Sequence, residues 1–159
     1  MSNENLERMI RLAETFFDVK NDPEQIQVNE HVLGRLKRIH PACISQKSTR
    51  KGPIAWMLII PTSHRLMQLF IDKKISEREL LRRTHVGKKY DAAYLCSALV
   101  LPEYRRKGLA KRLMIQSIQS IQKKHPVQYL FYWSFGVAGE RLAHAIADKL
   151  QLPLSKRAK

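Results

Sequence analysis

The stretch from Tyr90 to Gln122 constrains this chain more than any other. The run Ala92-Ala93-Tyr94-Leu95-Cys96-Ser97-Ala98-Leu99-Val100-Leu101 is too apolar to offer a solvated face, which predicts a central strand, and Pro102 ends it. A basic turn follows, Glu103-Tyr104-Arg105-Arg106-Lys107-Gly108. Leu109 to Gln122 then reads as a helix, with Ala110, Leu113, Met114, Ser117, Ile118 and Ile121 inward and Lys111, Arg112, Gln116 and Gln119 mainly outward.

Helical spacing opens the chain. Leu6, Met9, Ile10, Ala13 and Phe17 predict one apolar stripe on a helix from about Asn5 to Val19. Asn21-Asp22-Pro23 ends it, and Asp22 with Gln25 offers a capping box for a second helical region that turns Val32, Leu33, Leu36 and Ile39 inward and stops before Pro41. Two strands are predicted next, Ala42–Gln46 and Ile54–Ile60, joined by the polar segment 47–53 and closed by Pro61. Residues 63–83 return to a helical pattern in two pieces, the second behind a Ser76/Glu79 capping box. Beyond Pro126, Val127–Trp133 predicts a strand, a helix runs from near Gly136 or Gly139 to about Leu150, and Leu152-Pro153-Leu154 opens a short last strand before a basic tail, 155–159.

A length of 159 residues, 44% of them hydrophobic, fits one domain with a buried core. Cys43 and Cys96 match no ligand set or disulfide framework, so they read as reduced thiols of a cytoplasmic protein, and no metal is expected. The N-terminus lacks the pattern of a secretion signal, and the longest apolar run, Ile54 to Pro61, is too short to cross a bilayer. Lys and Arg number 29 against 14 Asp and Glu, a formal charge of +15 that attracts anions: an anionic cofactor, an acidic substrate or a nucleic acid. The positive residues run along the whole chain with no DNA-reading helix or finger signature, which weighs against nucleic acid.

The spacing Arg105-x-x-Gly108-x-Ala110 falls between the apolar strand and the amphipathic helix. First-turn amides lack intrahelical partners there, and the aligned peptide dipoles favour an anion. Gly108 lets a ligand approach the backbone, and Ala110 keeps the next inward position small. Neither a Gly-x-Gly-x-x-Gly series nor a Gly-x-x-x-x-Gly-Lys-Ser/Thr loop is present, so dinucleotide and nucleoside triphosphate roles recede.

From Ala98 to Leu113 the sequence resembles the central motif of the Gcn5-related N-acetyltransferase (GNAT) superfamily. The family's Arg/Gln-x-x-Gly-x-Gly/Ala signature falls on Arg105, Gly108 and Ala110, and its preceding valine and proline on Val100 and Pro102. The resemblance extends over residues 90–154. It implies an α/β (α+β) fold, a mixed central sheet with flanking helices whose two central parallel strands splay apart between Tyr94–Leu101 and Val127–Trp133. It implies a single domain, 1–159, with an acceptor-side half, 1–89, carrying extra helices, and a coenzyme-binding half, 90–154. The cosubstrate would be acetyl-CoA. Its pantetheine arm would lie along Ala98, Leu99 and Val100, and Arg105 with the amides of Arg106, Lys107, Gly108, Leu109, Ala110 and Lys111 would hold the pyrophosphate.

Thioester aminolysis needs a neutral amine, a polarised carbonyl and a proton for the departing thiolate. The resemblance favours direct transfer in a ternary complex over a covalent step on Cys96. Where the family often carries a tyrosine acid, this chain has Ala147; Glu140 stands at the often-used asparagine and Leu152 at the usual aromatic. Ser134 and Tyr132 are candidates to replace the hydroxyl, and Tyr94 and Asp91 to order the attacking amine. Glu140 and His144, one helical turn apart, can share a proton. His40, His64, His85 and His125 show no site-forming spacing. Phe131, Trp133 and Phe135 alternate as residues packing on one side of a sheet.

The acceptor is an amine on a small molecule or a protein, its identity open because the first 89 residues match the family poorly. A non-catalytic acyl-CoA-binding or regulatory domain is a competing reading, suggested by Ala147, and a basic RNA-associated protein is a third. Homodimerisation through an exposed strand or the N-terminal helices stays open.

Overall fold

The computed structural model describes residues 4–17, 24–26, 29–134 and 136–159. The expected break at Asn21-Asp22-Pro23, its Asp22 cap and Phe135 lie outside these residues, as does the side chain of Phe17. Among the described residues six α-helices and five strands follow one another as α1 (Glu4–Phe17), α2 (Glu30–Ile39), β1 (Ile44–Thr49), β2 (Gly52–Thr62), α3 (His64–Ile71), α4 (Glu77–Arg83), β3 (Ala92–Val100), α5 (Leu109–Gln122), β4 (Tyr129–Trp133), α6 (Val137–Leu150) and β5 (Leu154–Arg157). The strands form one mixed sheet in sequence order. β1, β2 and β3 are antiparallel, while β3, β4 and β5 run parallel, as two strand–helix–strand crossovers through α5 and α6 demand.

Helices cover both faces, which is why β2 and β3 are apolar on both sides. On one face Ala55, Met57 and Ile59 of β2 and Ala93, Leu95 and Leu99 of β3 meet Met9 of α1, Met114, Ile118 and Ile121 of α5 and Ile146 of α6. On the other, Leu58 and Ile60 of β2 with Tyr94 of β3 and Phe131 of β4 meet Leu36, Met67, Phe70 and Leu80 of α2, α3 and α4. Asn29 caps α2, Ser63 caps α3, and the Ser76/Glu79 capping box starts α4 with both of its reciprocal bonds formed.

Three local readings of the sequence are corrected. The connection between β1 and β2 is the two-residue turn Arg50-Lys51, since both strands run on through segment 47–53 past an irregularity at Lys47/Ser48, and Gly52 supplies φ 110°. Pro61 lies inside β2 opposite Ala93; β1 pairs no further along β2 than Leu58, so the proline stands where one edge is already bare. The basic tail is largely strand: Leu154–Arg157 pairs with Leu130–Trp133, and Arg157 is 2% exposed. Its guanidinium lies between the Phe70 and Trp133 rings, 4.5 and 4.7 Å from their centroids, and donates to the carbonyls of Phe70 and Ile75.

The stripe on α1 is also narrower than its periodicity suggests. Met9 is buried with Leu12 and Ala13 against it, whereas Leu6 and Ile10 are exposed. The buried Asn5, whose amide donates to the Lys51 carbonyl, fixes the helix's rotation over the β1–β2 turn. Among the described residues no helix is long and apolar enough to cross a membrane, and no group of three or more His, Cys, Asp or Glu could hold a metal ion.

Candidate active site

The site is built where β3 and β4 part. Their parallel ladder has three rungs, Ala92↔Tyr129, Ala93↔Leu130 and Tyr94↔Phe131; β3 then continues to Val100 and β4 to Trp133 without pairing with each other. At the same level the β2–β3 register shifts, Leu58 facing Ser97 and Ile59 facing Leu95, so Cys96 bulges between them. A bulge bends and twists its strand, which turns the far half of β3 away from β4. On the side facing that opening the part of β3 that includes Ala98, Leu99 and Val100 has no strand partner, the type of edge that an extended amide-bearing ligand can join.

The opening leads to the basic turn. A short helical turn at Pro102–Tyr104 is followed by Arg105–Gly108, all four exposed, with φ of 64° at Arg106 and 74° at Gly108. Gly108 is the N-cap of α5 and has no side chain to offer the first-turn amides, and a Cβ added there would meet nothing within 4 Å. The amides of Leu109, Ala110 and Lys111 therefore open onto free space at the positive end of a 14-residue helix. Arg105 turns back, its Nε donating to the Val100 carbonyl at 2.9 Å, and so ties the turn to the end of β3. Lys107 lies over the Tyr104 ring, and Arg8 of α1 holds Glu103 at 2.7 Å. Positive-φ residues, open amides and three basic side chains fit a pyrophosphate, and the neighbouring bare strand edge fits a pantetheine amide.

Side chains approach the opening from both faces of the sheet. On the α3–α4 face the Tyr94 hydroxyl donates to Glu77 Oε2 at 2.5 Å, the Ile26 amide donates to Glu77 Oε1 at 2.8 Å, and Cys96 Sγ lies 3.8 Å from Oε2. Burial first, and then the Glu77 carboxylate, push the Tyr94 hydroxyl and the Cys96 thiol well above their ordinary values. A thiol so held is no nucleophile near neutral pH. On the α5–α6 face Tyr132 shares the core with Ala143 and Ala147, and burial, helped by Glu140, raises its hydroxyl as well. Ala147 thus leaves room on the face that Tyr132 occupies. Ser134 donates to Glu140 Oε1 at 2.7 Å and Lys156 approaches the same oxygen at 3.5 Å; the Ser134 bond foremost, then Lys156, lowers the Glu140 carboxyl.

Asp91 stands at the opposite end of β3. Its carboxylate accepts from the His64 amide at 2.7 Å at the start of α3, and its carbonyl accepts from Gln128 and Tyr129. His144 is exposed, its ring 6.3 Å from that of Tyr132. Glu77 is the site group that sequence reasoning missed. The Ser76/Glu79 box already implied that Glu77 begins a helix, but nothing local signals that this first-turn glutamate is 6% exposed and turned toward β3.

Residues 81–140 match the family model for the acetyltransferase (GNAT) domain, a span that takes in the last rungs, the bulge, the basic turn, α5 and β4. Over that span the chain is similar to GNAT acetyltransferase domains. No curated protein matches the sequence. Among solved structures, this chain is similar to Naa20 of Chaetomium thermophilum in complex with a bisubstrate analogue (15% identity, 73% of this chain and 50% of that one, TM-score 0.39). It is also similar to an aminoglycoside acetyltransferase from an uncultured soil metagenomic sample in complex with trehalose (18% identity, 94% and 84% of the two chains, TM-score 0.49). The chain spans half the length of the Naa20 protein it matches.

Proposed function

We propose that this GNAT domain transfers an acetyl group from acetyl-CoA to an amine by direct attack within a ternary complex. The observation that carries the reading is the parting of β3 from β4 beside a helix N-terminus that a glycine leaves open. Acetyl-CoA would supply an activated thioester at the opening. Amides at the start of α5, with Arg106 and Lys107, hold the diphosphate, and the β3 edge at 98–100 aligns the arm. A free β3 amide near the bulge donates to the carbonyl oxygen as negative charge develops on it. The new bond forms between amine nitrogen and acyl carbon while the carbon–sulfur bond breaks.

Two proton tasks fall to opposite faces of the sheet. Glu77, bridged by the Tyr94 hydroxyl, accepts the proton that the amine gives up, directly or through water. Tyr132, kept protonated by burial, stands on the face where Ala147 leaves no hydroxyl and protonates the departing thiolate. Ser134, just past β4, and Glu140, in the first turn of α6, shape the exit. The first 89 residues form the acceptor side, and the amine belongs to a small molecule or a protein.

Purified protein assayed for acceptor-dependent thiol release across amine and peptide panels, beside coenzyme binding, tests this reading. Release that needs both acceptor and an intact Arg105–Ala110 turn supports it. Binding with no release under any acceptor favours the acyl-CoA-binding domain that Ala147 suggests, and absence of coenzyme binding overturns both. The free cysteines support a cytoplasmic setting, and the exposed Leu6 and Ile10 on α1 support self-association through the N-terminal helices.

A further inference from the structure

Cations scattered from Arg38 to Lys124 in the sequence come together far from the coenzyme turn. The loop after α4 carries Lys88 and Lys89, and a cleft opens on each side of it. One, of about 350 Å³, is lined by these lysines with Arg65 and Arg83 and by His85. The other, of about 580 Å³, is lined by the same two lysines with Arg38 of α2 and with Lys123 and Lys124 at the end of α5. Neither lining contains a carboxylate; Glu79 pairs with Arg83 at 3.4 Å, and Asp91, beside the first cleft, is held by the His64 amide at 2.7 Å. Lys89 is held against the Lys124 carbonyl at 2.7 Å, which keeps the two lysine-bearing segments together. His40 and His125, also in the second cleft, are lowered by burial and then by Lys124 and Lys89, the expected effect of like charge crowded into one place.

This surface is separate from the coenzyme turn. Lys123 follows the C-terminal end of α5 and Gly108 caps its N-terminal end, which places them about 20 Å apart at the helix rise of 1.5 Å per residue. A diphosphate held at one end therefore does not reach the other. Two cation-lined clefts on either side of a lysine ridge suit an anion that repeats along a chain better than a single phosphate. No Phe or Trp lines them, and the one Tyr, Tyr90, is buried with its hydroxyl on the His85 carbonyl; the rings within reach are the imidazoles of His85, His40 and His125. With no exposed Phe, Tyr or Trp platform, contact runs mainly through the backbone charges.

We propose that the paired clefts around Lys88 and Lys89 bind the phosphate backbone of nucleic acid, without reading its sequence. The tertiary structure supplies the gathered patch that the even spread of charge along the sequence conceals. Single-stranded and duplex nucleic acid offer the same chemistry, and the test carries one arm for each.

The experiment measures fluorescence anisotropy of labelled RNA of about 20 nucleotides, single-stranded and duplex, at about 50 to 200 mM salt. Expected are binding that weakens steeply with salt, equal affinity for unrelated sequences, and no competition from excess coenzyme A. K88E/K89E should lose about tenfold or more in affinity and flatten the salt dependence. K47E/R50E, the same charge change at exposed positions of β1 and the turn that follows it, should lose much less, and circular dichroism of both variants reports folding. The stronger-binding arm identifies the form of nucleic acid. The proposal is overturned by no binding at low salt, by equal losses in both double variants, by displacement with coenzyme A, or by equal binding of polyglutamate. Coenzyme binding by K88E/K89E is measured in parallel and should stay intact, which keeps failure of this proposal distinguishable from failure of the acetyltransfer reading.

Discussion

Substitution of Gly108 separates what the coenzyme turn does for the fold from what it does for the ligand. The residue has φ 74° and ψ 14°, and a Cβ there meets nothing within 4 Å. Gly108→Ala therefore costs stability only through its left-handed backbone, about 1 to 2 kcal/mol. For a chain of this length that is a fall in Tm of roughly 2 to 8 °C, at about 2 to 4 °C per kcal/mol. Asparagine tolerates the left-handed region better, so Gly108→Asn should lose less stability than alanine. Its longer side chain nevertheless intrudes further into the space before the first-turn amides. Coenzyme affinity should then fall in the order glycine, alanine, asparagine, with at least about a tenfold loss, or 1.4 kcal/mol, for asparagine. Thermal melts and isothermal titration with coenzyme A give the two series. Affinity that follows stability, with asparagine better than alanine in both, would refute the claim that the anion sits on these amides; so would an alanine variant that melts tens of degrees early.

Three further outcomes follow from the buried groups. Arg157→Ala removes a guanidinium stacked on two rings and strips the Ile75 carbonyl of its donor, while the Phe70 carbonyl keeps only the Lys73 amide, which should cost about 2 to 4 kcal/mol in chemical denaturation, with Arg157→Lys restoring only part because an ammonium has no planar face to stack between the rings. Burial pushes the Cys43 thiol from 9.0 up to about 12. The folded state then keeps a proton that the unfolded state loses, so stability present below pH 9 should decline by about 1.4 kcal/mol per pH unit as pH rises toward 12, and Cys43 should resist alkylation until the protein unfolds. Glu77→Gln keeps the side chain's size but removes the base, so kcat should fall about 100-fold with coenzyme affinity unchanged; unchanged kcat would remove Glu77 from the proposed chemistry.

Local pattern carried the coenzyme half of the chain. The apolar run at 92–101, the proline after it, the glycine before Leu109 and the periodicity of α5 each specify their own conformation within a few residues, and α5 begins and ends where its pattern does. The capping box at Ser76 is local in the same sense. Elsewhere local pattern misled for want of a partner. Pro61 reads as a terminator, yet it continues β2 because β1 has already ended alongside. Lys156 and Arg157 read as a solvated tail, yet parallel pairing with β4 draws them into the sheet and puts Arg157 between aromatic rings from α3 and β4.

The sequence alone determined the order of the elements, the strand–turn–helix that opens amides to an anion, and the absence of a tyrosine at position 147. Each depends on neighbours no more than a few residues apart, where backbone preference and periodicity decide. Tertiary structure decided the rest: the bulge at Cys96 that parts the strands, the meeting of Glu77 with Tyr94 across 17 positions, and the gathering of Arg38, Lys88 and Lys124 into adjoining clefts. These arrangements join residues far apart in the chain. They depend on strand register and helix packing, which no short window of sequence encodes.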